Sequence, residues 1–229
     1  MKAIILAGGL GTRLRPLTFA IPKPLIPVGE KPILEILIEN LISHGVKDLF
    51  LAVGYRAELV QLYFQDGSRF GVRIHYSQEK ERLGTAGPVR LARDRFVISE
   101  PVLVMNADII TNVNFEDLYG WHQKREPTIT VGVRWLEGEI PYGVVEMKGD
   151  EVRSIVERPR HSCLINCGIY VVNPEVLDLV PEGEFYMPDL IQAAMGAGHR
   201  VCGYEIREKW VSIDDIGDLE DEVNRIDPK

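Results

Sequence analysis

Lys2-Ala3-Ile4-Ile5-Leu6-Ala7-Gly8-Gly9-Leu10-Gly11-Thr12-Arg13-Leu14 opens the chain, and its reading decides the fold. Lys2–Leu6 is an apolar run closed by glycine, the pattern of a buried strand. Glycines directly after a strand let backbone N–H groups approach an anion closely, which makes a nest for phosphates; a plain tight turn uses the same residues. Two familiar loops do not fit. No Gly-Lys-Ser/Thr follows at the distance a Walker A loop requires. The dinucleotide fingerprint fails as well, because Leu14 stands where its third glycine belongs and the next strand ends in Gly54-Tyr55-Arg56 instead of an acid. That argues against a dehydrogenase.

Beyond the loop, Pro16, Pro22, Pro24 and Pro27 exclude regular helix. Pro32 opens a helix with Ile33, Leu34, Leu37, Ile38, Leu41 and Ile42 at helical spacing, stopped by Gly45. Strands are expected at 48–53, 72–76 and 101–105, with helices at 58–64 and 85–96 between them. Such alternation means a doubly wound, mainly parallel sheet of the α/β class. From about residue 127 strand-like runs at 128–135, 142–147, 151–157 and 167–172 suggest an antiparallel extension sharing the same sheet, with a cleft where the halves meet. Helices near 174–180 and 187–197, a strand at 200–206 and a closing helix from about Asp218 complete the pattern.

The composition bounds the function. The chain has 229 residues, 45% of them apolar, with 26% charged and 8% aromatic, ordinary values that exclude disordered and fibrous classes. Ala3 to Ala7 is too short for a signal segment or a bilayer span, so no membrane and a cytoplasmic setting are expected. Twenty-six Lys+Arg against 34 Asp+Glu leave a net charge of −8, which argues against a nucleic-acid polymer as partner. The distribution says more. Residues 1–29 hold Lys2, Arg13, Arg15 and Lys23 and no acid, whereas Asp214, Asp215, Asp218, Glu220, Asp221, Glu222 and Asp227 crowd the end. A basic start in an acidic chain suits a small, multiply charged anion. Cys163, Cys167 and Cys202 form no C-x-x-C pair and argue against a disulfide framework or a cysteine zinc site. The five histidines show no metal spacing.

Gly11-Thr12-Arg13-Leu14-Arg15-Pro16-Leu17-Thr18, continued by Pro22-Lys23-Pro24-Leu25-Ile26-Pro27-Val28, resembles the signature of the sugar-1-phosphate nucleotidyltransferases. The resemblance extends to about residue 220 and implies the nucleotide-diphospho-sugar transferase fold over 1–229. Residues up to about 126 would form the nucleotide half, and the rest the sugar half and closing helix, without a β-helix domain. It implies that Leu6, Ala7, Gly8, Gly9, Gly11 and Thr12 cradle the nucleotide, that Arg13 neutralises its β- and γ-phosphates, and that Lys23 reaches the α-phosphoryl group. Phosphoryl transfer needs such cations and in-line positioning more than covalent help. In Asn106-Ala107-Asp108 the matching Asp binds Mg²⁺, the cofactor expected here, and Asp108 stands just past an apolar strand, at the edge where α/β ligands bind. Asn106 joins the nucleotide set.

Leu83-Gly84-Thr85-Ala86-Gly87 looks most like the mannose-1-phosphate guanylyltransferase branch. Guanine would lie on the Gly84 and Thr85 backbone, and Glu79 could accept from its N1–H and 2-amino group; Glu79 and Glu81 as solvated loop charges is the alternative. Tyr142-Gly143, Glu157-Arg158-Pro159 and Asn166-Cys167-Gly168-Ile169-Tyr170 match the family's sugar marks, which assigns Gly143, Glu157, Arg158 and Asn166 to a hexose or heptose 1-phosphate. Arg158 replaces the usual Lys, a change that keeps the charge but alters its geometry. One departure stands out. The family closes with W-x-D-x-G, whose Asp is the second metal ligand, and here Trp210-Val211-Ser212-Ile213-Asp214 puts Ser212 at that place. Asp214, on the same side of an extended run as Ser212, is the candidate substitute.

The resemblance therefore implies a Mg²⁺-dependent enzyme joining GTP and mannose 1-phosphate, or a heptose 1-phosphate, with release of pyrophosphate. The rivals are UTP with a hexosamine-type 1-phosphate, CTP with phosphocholine (W-x-x-I-D endings occur in that branch), and a silent nucleotide-binding regulatory subunit. A homodimer is allowed by this reading.

Overall fold

The structure is a computed structural model that describes residues 1–79 and 81–226. Lys80, in the segment expected to read the base, and Asp227 of the acidic end lie outside the described residues. Seven strands form the central sheet: β1 (Lys2–Ala7), β2 (Asp48–Val53), β3 (Arg73–Gln78), β4 (Val102–Asn106), β6 (Ile129–Glu139), β9 (Arg160–Val172) and β10 (Val201–Glu205). Their order is β10-β6-β9-β4-β1-β2-β3. β1 pairs in parallel with β2 and β4, β2 with β3, and β10 with β6, while β9 runs antiparallel between β4 and β6. Helices α1 (Ile33–Ser43), α2 (Ala57–Phe64), α3 (Gly87–Phe96), α4 (Phe115–Arg125), α5 (Met187–Gly196) and α6 (Ile216–Ile226) surround it.

Side chains alternate along each strand, so the sheet feeds two cores. Ala3, Ile5, Leu49, Leu51, Leu103 and Met105 pack under α1, α2 and α4. Ile4, Phe50, Val102 and Val104 pack under α3 and α5. This two-sided burial is why the strands read as continuous apolar runs.

The expectations for the nucleotide half hold within two residues at the strand ends. Where Pro16, Pro22, Pro24 and Pro27 were expected to exclude regular helix, the segment does admit single helical turns at Leu17–Ala20 and Lys23–Leu25, after another at Thr12–Leu14. Each turn is at most four residues long; the longest closes with an i→i−4 bond from Ile21 N–H to the Leu17 carbonyl at 3.1 Å and stops before Pro22. Helix α4 was not expected. Asn114 caps it, accepting from the N–H groups of Glu116 and Asp117, and Phe115, Leu118 and Tyr119 are buried.

β9 is also longer than expected. Its second half, Ile169–Val172, lies in the main sheet against β4. Its first half, Arg160–Asn166, pairs only with the outer part of β6 as a two-stranded ribbon, and the register shifts between Asn166 and Tyr170. β7 (Gly143–Lys148) and β8 (Glu151–Glu157) form a separate antiparallel hairpin at the ribbon's end. β5 (Ile109–Thr111) pairs antiparallel with β11 (Trp210–Ser212), a contact that carries the end of the chain back to the carboxyl edge of β4.

Candidate functional site

β1 and β4 are adjacent, so Gly8 and Asp108 leave the same sheet edge, and Ala107 N–H donates to the Leu6 carbonyl at 3.1 Å. The loop after β1 is pinned from outside by its neighbours. Thr18 Oγ1 donates to the Gly11 carbonyl at 2.8 Å, Tyr55 Oη donates to the Thr18 carbonyl at 3.2 Å, and Arg56 Nη2 donates to the Phe19 carbonyl at 2.7 Å. Tyr55 and Arg56 thus fill the place where an acid would have marked a dinucleotide fold, and they hold the loop instead.

The loop delivers two cations to two carboxylates. Lys23 Nζ lies 2.5 Å from Asp108 Oδ2 and 3.5 Å from Asp214 Oδ1. Arg13 Nη2 lies 2.8 Å from the same Asp214 oxygen. The Lys23 side chain is only 13% exposed and that of Asp108 21%, whereas Arg13 is 70% exposed. Arg13, Lys23, Asp108 and Asp214, separated by up to 201 positions in sequence, therefore form one cluster.

Asp214 reaches this cluster from a turn past the end of β11. Ile213 is buried, and its N–H donates to the Asp108 carbonyl at 2.9 Å, tying the two acid-bearing segments together. Ser212 Oγ donates to Asp214 Oδ2 at 3.2 Å. Asp218, in the first turn of α6, accepts from the N–H groups of Asp214 and Asp215 at 2.8 and 3.1 Å, and Asp215 Oδ1 accepts from Asp218 N–H in return. That reciprocal cap fixes the turn. Sequence reasoning overlooked Asp218, although an Asp-x-x-Asp spacing at a helix start was there to signal it.

Two carboxylates on one edge fit a hard divalent cation that takes its remaining oxygens from phosphates and water. A second observation agrees. Asp108 Oδ1 is buried and has no hydrogen-bond partner, an acceptor left open beside Lys23. Among the described residues no cluster of three or more acids, histidines or cysteines could hold a metal alone, so substrate oxygens would have to complete the shell.

On the side expected to read the base, Glu79 lies against the loop, since a Cβ on Gly8 would sit 2.6 Å from its Oε1. Burial pushes the Glu79 carboxyl above its ordinary value, partly offset by the Leu83 N–H that donates to Oε2. Gly84 pairs with Phe185, Thr85 N–H donates to the Phe185 carbonyl at 3.1 Å, and Thr85 Oγ1 accepts from Met187 N–H at 2.8 Å. The Thr85 amide is thereby committed to the protein, leaving carbonyls and the Glu79 carboxylate as this wall's free acceptors.

On the side expected to take the sugar, Gly143 faces Glu157 in the hairpin register, and Arg158 N–H donates to the Tyr142 carbonyl at 3.3 Å. Asn166 is held at the bulge, accepting from Gly168 N–H at 2.9 Å and donating to Tyr170 Oη at 2.8 Å. Gly168 in turn covers Asn106, whose Nδ2 would lie 2.6 Å from a Cβ there. A cleft of about 580 Å³ lies on the other face of the ribbon, lined by Arg134, Ile165, Trp210, Asp214 and Asp218. Ile165 and Asn166 point to opposite faces, so this cleft is separate from the expected sugar side. Cys167 is buried with its thiol pushed up to about 11 by burial, a packed and inert residue. His122 is buried between Thr130 Oγ1 and Asn173 Oδ1, a structural bridge away from the site.

A parallel sheet edge that opposes cations to carboxylates beside a glycine loop defines a nucleotide-phosphate-handling α/β protein. The family model described as Nucleotidyl transferase matches residues 2–226, and the chain belongs to that family. It is 39% identical to mannose-1-phosphate guanyltransferase beta-A of Xenopus laevis, covering 93% of this chain and 61% of the relative. Against the mannose-1-phosphate guanylyltransferase catalytic subunit beta of Dictyostelium discoideum the identity is 37%, with the same coverage. The chain thus spans about three fifths of the length of these curated relatives. Among solved structures, HddC from Yersinia pseudotuberculosis superposes with a TM-score of 0.78 at 23% identity, over 98% of this chain and 99% of that one. UDP-glucose pyrophosphorylase complexed with UDP-glucose gives 0.77 at 19% identity, over 98% and 97%. Both share the nucleotide-diphospho-sugar transferase fold expected from the sequence.

Proposed function

We propose that the protein transfers a guanylyl group from GTP to a sugar 1-phosphate, with mannose 1-phosphate or a heptose 1-phosphate as the acceptor, and releases pyrophosphate. The observation that carries this reading is Lys23 seated between Asp108 and Asp214, with Arg13 on the same carboxylate. The names of the relatives support the choice of guanine and mannose. A half-buried Glu79 beside the glycine loop supports guanine too, because a guanine edge offers two adjacent donors and uracil offers none in that arrangement.

In this reaction an oxygen of the sugar phosphate attacks the α-phosphorus of GTP, the bond from that phosphorus to the β-bridging oxygen breaks, and pyrophosphate leaves in line. No side chain has to act as base, since the attacking phosphate is already anionic. Lys23 holds charge that builds on the α-phosphoryl oxygens, and Arg13 retains the leaving β- and γ-phosphates. Asp108 and Asp214 would hold Mg²⁺, which when bound would supply charge neutralisation for the reacting phosphates. Glu157, Arg158, Asn166 and the Gly143 backbone would orient the sugar phosphate. Among the described residues no helix is long and apolar enough to cross a membrane.

The test is pyrophosphate release from GTP, UTP, CTP, ATP and dTTP with Mg²⁺, each against mannose, glucose, glucosamine, N-acetylhexosamine and heptose 1-phosphates and phosphocholine. Release with GTP and a hexose or heptose 1-phosphate is the expected result. Release with CTP and phosphocholine alone would replace this reading, and silence with nucleotide still bound would leave a regulatory protein.

A further inference from the structure

The four-member cluster has an arithmetic that the reaction does not use. Asp214 Oδ1 takes both Arg13 at 2.8 Å and Lys23 at 3.5 Å, and Asp108 Oδ2 takes Lys23 at 2.5 Å. Two cations and two carboxylates cancel. The groups that would receive the phosphates are thus engaged by the groups that would receive the divalent cation. Asp214 is the fixed member of this chain, its turn fastened by Asp218 and Ile213 and its second oxygen by Ser212. Arg13, 70% exposed on its loop, is the member free to leave.

We propose that Asp214 is an exchange residue: without ligands it holds Arg13 and Lys23 in place of the nucleotide phosphates, and on loading it gives them up and turns to the cation. This rests on the nucleotidyltransferase reading and adds to it a coupling between nucleotide and cation binding. A triphosphate arriving alone would have to strip both cations and leave Asp108 and Asp214 uncompensated next to its own charge. A divalent cation arriving alone meets carboxylates that are already neutralised. Each therefore promotes the other, and the promotion runs through Asp214.

The signs of two variant effects follow, and both differ from what simple damage to a site would give. Asp214→Asn should bind GTP more tightly than wild type in the presence of chelator, by at least about fivefold, because Arg13 is released and a repelling charge is gone. The same variant should lose at least about tenfold of the enhancement that Mg²⁺ gives to GTP binding. In the mirror experiment, Arg13→Gln should bind Mn²⁺ more tightly than wild type in the absence of nucleotide, since Asp214 Oδ1 then keeps only its longer contact with Lys23 at 3.5 Å. Calorimetry with GTP and electron paramagnetic resonance with Mn²⁺ read these affinities without turnover. Arg13 is exposed enough that its replacement leaves the fold in place, so the mirror experiment stands if Asp214→Asn does not fold.

Metal-free GTP affinity unchanged or weakened in Asp214→Asn, or nucleotide-free Mn²⁺ affinity unchanged or weakened in Arg13→Gln, overturns the exchange. In that case wild type still binds GTP with Mg²⁺ and the nucleotidyltransferase reading survives. Failure of wild type to bind any nucleoside triphosphate with Mg²⁺ present would overturn both.

Discussion

The loop after β1 and the β7–β8 hairpin, the segments proposed to take the nucleotide and the sugar phosphate, are built in opposite ways. The loop is sewn to its surroundings by Thr18, Tyr55 and Arg56, and its Lys23 is almost enclosed. The strands on either side of it feed two cores, with Ile4 and Ile5 fully buried on opposite faces. The hairpin stands apart. Val145, Met147, Val152 and Ile155 share one of its faces and are 45–68% exposed, and every residue of β8 is exposed. A two-stranded ribbon of this kind has few buried contacts to hold it. Cations for phosphate are thus preorganised, where each fraction of an ångström matters to the developing charge. The residues proposed for sugar hydroxyls sit on an exposed two-stranded surface instead.

The contrast predicts a graded set of effects. The largest is in stability: Phe64→Ala, in the core under α2, should cost about 3–5 kcal/mol in denaturant unfolding, whereas Ile155→Ala should stay within about 0.5 kcal/mol. Equal costs would mean that the hairpin is packed in solution. Next comes Lys23→Ala, for which turnover should fall on the order of 10²–10³, roughly 3–4 kcal/mol, with GTP binding weakened less. A fall under tenfold would remove Lys23 from the α-phosphoryl group. Smaller again, Glu157→Gln and Asn166→Ala should each raise KM for the sugar phosphate about tenfold, about 1.4 kcal/mol, and leave GTP binding unchanged. A matching loss of GTP affinity would show that the two sides are not separate.

The smallest effect concerns Glu79. Burial raises its folded-state carboxyl above the unfolded value, so ionised Glu79 costs stability at neutral pH and the cost fades as pH falls through the folded and then the unfolded value. Glu79→Gln should therefore melt about a degree higher at pH 7 and no higher below about pH 4, and its GTP affinity should drop. A higher melting point that persists in acid would assign the gain to something other than charge.

Legibility followed the same divide. In the nucleotide half, parallel strands buried on both faces leave uninterrupted apolar runs, and β2 was placed at Asp48–Val53 from those alone. Helix α4 escaped because Glu116, Asp117, Gly120, Lys124 and Arg125 dilute its apolar stripe; Asn114 followed by acids was the signal available. The first half of β9 escaped because Arg160, His161 and Ser162 sit on an exposed ribbon where no burial pattern is imposed. At the site, Arg13 and Lys23 were legible because the motif that carries them continues the loop, and Asp108 because it stands just past the apolar run of β4. Asp214 was readable only as a candidate, since what brings it in is the β5–β11 pairing, between segments about a hundred residues apart, together with the local cap from Asp218.

The central claim is that this preorganised edge directs attack of a sugar phosphate on the α-phosphorus of GTP. ³¹P NMR of the protein with GTP, Mg²⁺ and mannose 1-phosphate, followed over time, tests it most directly. The account predicts a GDP-sugar and pyrophosphate appearing in equal amounts, and neither appearing with Asp108→Asn. GMP or GDP accumulating with the sugar phosphate untouched would contradict it.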